Sequence, residues 1–204
     1  MKSLLEQLLH HNGGYITRSL VDEAGIEPHQ LTKWVREGKL ERLQRGVYRS
    51  PDAPWLSHED WLELTLRIPY AVLCLRSALA FHGLTTYIPK VVDIAVPQNR
   101  YPPKLEYPPV QVHYFSEKTY HYGIEPQQLK THTLQVYSIE KTLADLLRFS
   151  NRYGEDLFLE GLKNYLKRRK PQPNLLKLTE AARVCRVERR LRPILQALTY
   201  DLSS

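Results

Sequence analysis

Cysteine is scarce in this 204-residue sequence: there are two, Cys74 and Cys185, far apart in apolar stretches that read as helical. Two such thiols form neither a disulfide framework nor, by themselves, a zinc site, which fits a reducing compartment. Long hydrophobic runs are absent too. The longest stretch without Asp, Glu, Lys or Arg, Ser77 to Pro89, falls well short of the ~20 apolar residues that cross a bilayer, so no membrane partner is expected. Met1 to Leu9 places Glu6 inside its only apolar run, with no small-residue cleavage site after it. A secretory leader is therefore not expected, and the cytoplasm is the expected location. No phosphate-cradling glycine loop occurs either, and neither cofactor nor metal is expected.

What is present is the composition of an ordinary globular protein, 42% hydrophobic and 25% charged. The length exceeds the ~100–150-residue mode for one domain, which predicts one large domain or two small ones. Net charge is +7, but its distribution is uneven: residues 1–56 hold 8 basic against 7 acidic side chains, residues 57–150 hold 9 against 9, and residues 151–204 hold 12 against 6. A nucleic-acid reader at the front would depend on the placement of a few cations, whereas the tail can present a broad positive field.

The first fifty residues carry a pattern. Leu4, Leu5, Leu8 and Leu9 mark a short amphipathic helix closed by Asn12-Gly13-Gly14. Thr17 suits an N-cap for a second helix with Leu20, Val21 and Ala24 inward, ended by Gly25. Pro28 suits the first turn of a third, in which Leu31, Trp34 and Val35 face a core and Gly38 closes. Leu40 to Leu43 and Val47 to Arg49 then read as strands around Gln44-Arg45-Gly46. Three short helices and a basic hairpin predict a winged helix-turn-helix over residues 1–54. Its third helix would offer His29, Gln30, Thr32, Lys33 and Arg36 to base edges; Arg42, Gln44 and Arg45 on the wing, and Arg18 on the second helix, would meet phosphates. A trihelical module that only docks proteins would show a similar polar face. Trp34 reads as core by its spacing, and His10 and His11 as surface residues.

Ser50-Pro51-Asp52-Ala53-Pro54 is a turn-rich boundary, and residues 55–204 read as a larger mixed α/β domain, making the whole chain α+β. Helices are expected around Trp61 to Ile68 and Leu75 to His82, then strands at Val91–Val96, Val110–Phe115 and Thr133–Tyr137. Four helices follow, around Ile139 to Leu147, Leu157 to Leu166, Leu175 to Cys185 and Val187 to Leu198, the last bent by Pro193.

Gly38 to Tyr48, Leu75-Arg76-Ser77-Ala78-Leu79-Ala80-Phe81-His82-Gly83-Leu84-Thr85-Thr86, Ile94-Ala95-Val96-Pro97, and Tyr137-Ser138-Ile139-Glu140-Lys141-Thr142-Leu143-Ala144-Asp145 stand in an order that resembles the AbiEi antitoxins of bacterial type IV toxin-antitoxin systems. The resemblance implies an N-terminal winged helix that represses its own operon at inverted-repeat double-stranded DNA. It also implies a C-terminal domain that neutralises a nucleotidyltransferase-like toxin, in a setting of phage defence. It marks Ser77, His82, Glu140, Lys141 and Asp145 as motif residues of that domain. A monomer in solution that binds DNA cooperatively is the expected assembly. Whether neutralisation is by contact, by modifying the toxin or by acting on its target stays open, as do an orphan regulator and a pure interaction module. Glu27 stands where relatives often carry a serine or threonine cap.

Two residue sets resemble catalytic ones. Ser77 and His82, considered with Asp93, lie five apart on one helix and so on different faces, which argues against a triad. Lys141 and Asp145, beside Glu140, are i, i+4 neighbours that a surface or partly buried ion pair explains. There is no Gly-Ser dipeptide and no Asp-x-Asp pair to hold nucleotide and metal, so the chain reads as a non-enzyme. Lys163, Lys167, Arg168, Arg169, Arg186, Arg189 and Arg190 form a possible second basic contact, for phosphates or for an acidic protein surface.

Overall fold

Helix α1 (Leu4–His11) begins the computed structural model, which describes residues 4–12, 14–44, 46–52, 59–105, 109–129 and 132–201. Helix α2 (Arg18–Glu23) starts where the sequence predicts, with the Leu20 N–H donating to Thr17 Oγ1 at 3.3 Å. Helix α3 (Pro28–Arg36) carries its proline in the first turn, where the missing N–H is not needed, and Glu27 supplies no side-chain cap. Gly25 and Gly38 take φ of 67° and 69° to turn the chain out of the two helices, a backbone state that an L side chain resists. Leu5, Ile16, Val21, Ile26, Leu31 and Leu40 close a small core, with Trp34 and Val35 packed against it. Ala24, expected inward, is exposed because α2 stops one residue earlier and Ala24 is its C-cap.

The wing is a three-stranded sheet rather than a hairpin alone. Strands β2 (Glu41–Gln44) and β3 (Val47–Arg49) pair antiparallel with a register shift between Arg42 and Gln44. Strand β1 (Tyr15–Thr17) adds to the other edge of β3 in the register Tyr15↔Arg49, Ile16↔Tyr48, Thr17↔Val47. The strand is three residues long, so it carries no alternation from which to predict it. The fold of this region is a winged helix-turn-helix. Helix α4 (Glu59–Arg67) follows and buries Leu64; Ala53 and Pro54 of the expected boundary lie outside the described residues.

The chain divides into two compact units, Met1–Pro69 with Gln127–Leu134, and Tyr70–Pro126 with Gln135–Ser204. The larger sheet has the order β6-β5-β4-β8-β7, built from β4 (Val72–Leu73), β5 (Val92–Pro97), β6 (Val110–Phe115), β7 (Ile124–Leu129) and β8 (His132–Tyr137). It is mixed: β4 runs antiparallel to β5 and parallel to β8, and β5 parallel to β6 from Val92↔Val110 to Pro97↔Phe115. Every residue of β5 is buried, as a largely apolar run leads one to expect for an interior strand, with Asp93 the one charged side chain in it. Helices α5 (Leu75–Phe81), α6 (Glu117–His121), α7 (Ile139–Arg148), α8 (Ser150–Tyr153), α9 (Asp156–Leu166), α10 (Leu175–Val184) and α11 (Glu188–Asp201) complete the second unit. Its core runs from Val72 and Leu79 through Phe115 and Tyr137 to Leu143, Phe158, Leu178 and Leu191. Both cysteines sit at helix boundaries rather than within helices, Cys74 as the N-cap of α5 and Cys185 as the C-cap of α10, and both thiols are free and buried.

One ion pair departs from expectation. Lys141 and Asp145 are not at or near the surface: both side chains are 0% exposed, and the Lys141 ammonium donates to Asp145 Oδ2. The i, i+4 spacing is right, but the face it marks points into the core. There the Lys141 Nζ lies 4.8 Å from the Phe115 ring centroid and 4.4 Å from that of Tyr137, and Cys185 Sγ–H donates to Asp145 Oδ1 at 3.2 Å. Gly123, at φ 74°, makes room for this lysine, because a Cβ there would stand 2.8 Å from Lys141 Cβ.

Candidate nucleic-acid interface

The apolar stripe of α3 determines which side chains it turns outward. Leu31 is buried and Trp34 and Val35 are partly buried, so His29, Thr32, Lys33 and Arg36 are exposed and Gln30 is half-buried beside His29, 3.4 Å away. Such a face presents amide, imidazole, hydroxyl, ammonium and guanidinium groups, the donors and acceptors that address base edges. Its charge is partly balanced at the C-terminal end. Lys33 Nζ lies 4.0 Å from Glu37, whose other oxygen accepts from Lys39 Nζ at 2.8 Å. Hydrogen bonding to Lys39 holds the Glu37 carboxyl below its usual range, against desolvation and with help from the charges of Lys39, Lys33 and Arg36.

Arg18, expected to meet phosphate, is exposed and its Nε donates to both oxygens of Asp22, at 2.8 and 3.1 Å. An exposed i, i+4 pair of this kind is worth little and exchanges readily for a phosphate. Arg42 is exposed on β2 and Gln44 ends that strand; Arg45 lies outside the described residues. On β3, Arg49 donates to Glu41 Oε2 at 2.7 Å, a bond that raises the guanidinium pKa and ties the two wing strands together.

In the second unit the motif side chains are bonded inward. Ser138 Oγ caps α7 by accepting from the Lys141 N–H at 3.2 Å, Glu140 accepts from Tyr165 Oη at 2.6 Å, and His82 Nε2–H donates to the Tyr137 carbonyl at 2.7 Å. Burial pushes the His82 imidazole below its ordinary pKa despite that backbone bond. Ser77 Oγ accepts from the Asp93 N–H at 2.9 Å, so Ser77, His82 and Asp93 are not brought together as a nucleophilic set. Asp93 instead gathers residues that spacing alone does not connect. Arg76 donates to it bidentately at 2.6 and 2.9 Å, and His113 Nε2–H donates to Oδ1 at 3.0 Å. Tyr153 Oη lies 3.2 Å from the same His113 nitrogen, and the Arg76 guanidinium stands over the Tyr153 ring at 4.6 Å. Burial raises the Asp93 carboxyl, but the bonds from His113 and Arg76 outweigh it and the net shift is downward. No motif or spacing in the sequence marks Arg76, His113 and Tyr153 as members of this network around Asp93. The one local clue is that β5 and β6 run parallel, with Asp93 opposite Gln111 and Ala95 opposite His113, which makes Asp93 and His113 diagonal neighbours. Among the described residues no group of three His, Cys, Asp or Glu side chains is placed to hold a metal ion, and no helix is long and apolar enough to cross a membrane.

The basic residues of the tail differ in availability. Lys163, Lys167 and Arg169 are exposed, and Arg168 is half-buried with Nε donating to the Lys170 carbonyl at 3.3 Å. Arg190 is committed inward to Glu155 at 2.6 Å, Ser150 Oγ at 2.8 Å and the Leu147 carbonyl at 3.0 Å. Arg186 and Arg189 are exposed.

Residues 3–51 match the family model described as transcriptional regulator, AbiEi antitoxin, so the resemblance read from the sequence holds over the winged module. No curated protein matches the chain. Among solved structures, the crystal structure of the RV2827C protein from Mycobacterium tuberculosis is similar in fold, with a TM-score of 0.51 at 15% identity over 92% of this chain and 77% of the other.

Proposed function

We propose that this chain, whose N-terminal module is that of AbiEi antitoxin transcriptional regulators, is a repressor that reads its own operator through α3 and serves as the antitoxin of a nucleotidyltransferase-like toxin. The observation that carries the reading is the outer face of α3 within a segment matched by that regulator family. In it, Gln30, Thr32, Lys33 and Arg36 address base edges in the major groove, with His29 at the helix start. Arg18, Arg42, Gln44 and Arg45 hold the flanking phosphates. The low net charge of residues 1–56 favours specificity from base contacts over bulk attraction, because non-specific binding scales with the phosphates neutralised. The second unit carries the antitoxin role. Its motif residues hold the core together, so its action on the toxin falls to exposed side chains and not to the buried Lys141, Asp145 and Ser77.

A gel-shift series on the DNA upstream of the chain's own reading frame tests this at physiological salt. The full chain should retard that duplex at least about a thousandfold more tightly than a scrambled one. Lys33→Ala or Arg36→Ala should cost about 1–3 kcal/mol on that duplex and little on the scrambled one. Equal retardation of both duplexes, or variants that weaken both alike, would refute base reading by α3.

A further inference from the structure

Helices α10 and α11 meet at a corner built on an unfavourable residue. After the Cys185 cap, Arg186 takes φ 61°, the left-handed position that glycine ordinarily fills at a helix end. Its N–H donates to the Arg183 carbonyl at 3.1 Å and the next N–H, of Val187, to that of Ala182 at 2.8 Å. An arginine in this state opposes the local preference for glycine, so the backbone here is strained in a way that glycine would relieve.

Two clefts adjoin the corner and share Glu188. One, of about 350 Å³, is lined by arginines, among them Arg183, Arg186 and Arg189. The other, of about 180 Å³, is chiefly apolar and is lined by Leu175, Leu191 and Leu195. Leu175 is 40% exposed and Leu176, next along α10, 80% exposed. Glu188 holds Arg183 at 3.1 Å and Arg192 at 3.4 Å, whereas Arg186 and Arg189 make no ion pair among the described residues. Phosphates would engage these two cations and leave the leucines and their cleft unused. An amphipathic helix flanked by carboxylates uses both, seating its apolar face in the cleft while aspartates or glutamates meet the guanidinium groups.

We propose that the α10–α11 corner is a docking surface for an acidic amphipathic helix of a partner protein, with Leu175, Leu176 and Leu195 taking its apolar face above the buried Leu191 and Arg186 and Arg189 its carboxylates. Assigning that helix to a toxin rests on the function proposed above; the surface itself does not.

Fluorescence anisotropy with the full chain tests it. The probe is a labelled helical peptide of about 18 residues, five turns, with leucines at i, i+3, i+4 and i+7 and glutamates beside them. The controls are the same peptide with lysine for glutamate, the same peptide with serine for leucine, and a duplex of arbitrary sequence. The acidic amphipathic peptide should bind at least about tenfold more tightly than either control peptide. Leu176→Glu and the double variant Arg186→Glu/Arg189→Glu should each remove that margin. Arg186→Gly should also weaken the peptide while leaving the melting temperature unchanged or raised by about 2 °C, because glycine relieves the backbone; a merely structural arginine would not separate the two readouts. Three peptides binding alike, no binding of the acidic peptide at about 1 mM, or variants that lose the duplex but keep the peptide would each overturn the proposal. Lys33→Ala, assayed with both the operator duplex and the peptide, keeps it separate from base reading: loss of operator binding with peptide binding intact supports the function of α3 and leaves the corner standing, whereas loss of peptide binding in that variant would overturn the placement of the site at the corner.

Discussion

Replacing Lys141 by methionine isolates the energetics of the buried ion pair. Methionine keeps the apolar stem between the Phe115 and Tyr137 rings and removes only the ammonium that donates to Asp145. The Asp145 carboxylate, 0% exposed, is then left with one weak partner, the Cys185 thiol. Breaking a buried pair on one side costs about 3–5 kcal/mol, a large part of the ~5–15 kcal/mol that holds a domain folded. For a chain of this size that is a fall of roughly 6–20 °C in melting temperature. Lys141→Met/Asp145→Leu removes both charges and should recover most of the loss, since apolar replacement of a whole pair is close to neutral. Urea titrations followed by circular dichroism measure the loss in the single variant and its recovery in the double variant. A single variant that costs under about 1 kcal/mol, or a double variant no better than the single, would refute the buried-pair reasoning.

Gly123→Ala should destabilise the second unit by about 1–3 kcal/mol in the same urea assay, since it combines φ 74° with a Cβ 2.8 Å from Lys141 Cβ. His82 should give the protein a stability that falls as the pH drops below about 6.5: its folded pKa is lowered by burial, so the unfolded chain takes up the proton first and is favoured. His82→Gln should flatten melting temperature against pH between about 7 and 5. Burial raises both thiols well above the usual cysteine range, so a thiol-specific chromogenic reagent should find neither Cys74 nor Cys185 in the native protein and both in denaturant.

The winged module was largely legible because its signals are local. Thr17, Gly25, Pro28 and Gly38 stand where helix starts and ends require them, and Leu31, Trp34 and Val35 give the turning face of α3 directly. Strands β1 and β4 were not legible: at three and two residues they are defined only by their partners, β3 for the one and β5 and β8 for the other. The burial of Lys141 was hidden for a related reason. A Lys and an Asp at i, i+4 mark a helix face without saying what covers it, and here Phe115, Tyr137 and Cys185, contributed by β6, β8 and the end of α10, supply the cover. The Asp93 network likewise joins distant residues, Asp93 and His113 through sheet register and Arg76 and Tyr153 from α5 and α8, information that a single sequence does not carry.

Selection of duplexes from a random-sequence pool by the full chain tests base reading by α3 most directly, because it presupposes no operator. The account predicts an enriched sequence bound about a thousandfold or more above the pool, with Lys33→Ala and Arg36→Ala relaxing the preference at particular base positions while Arg45→Ala weakens all duplexes alike and lowers the salt slope by about one. A pool that returns no enriched sequence, bound equally by the parent chain and the α3 variants, would contradict it.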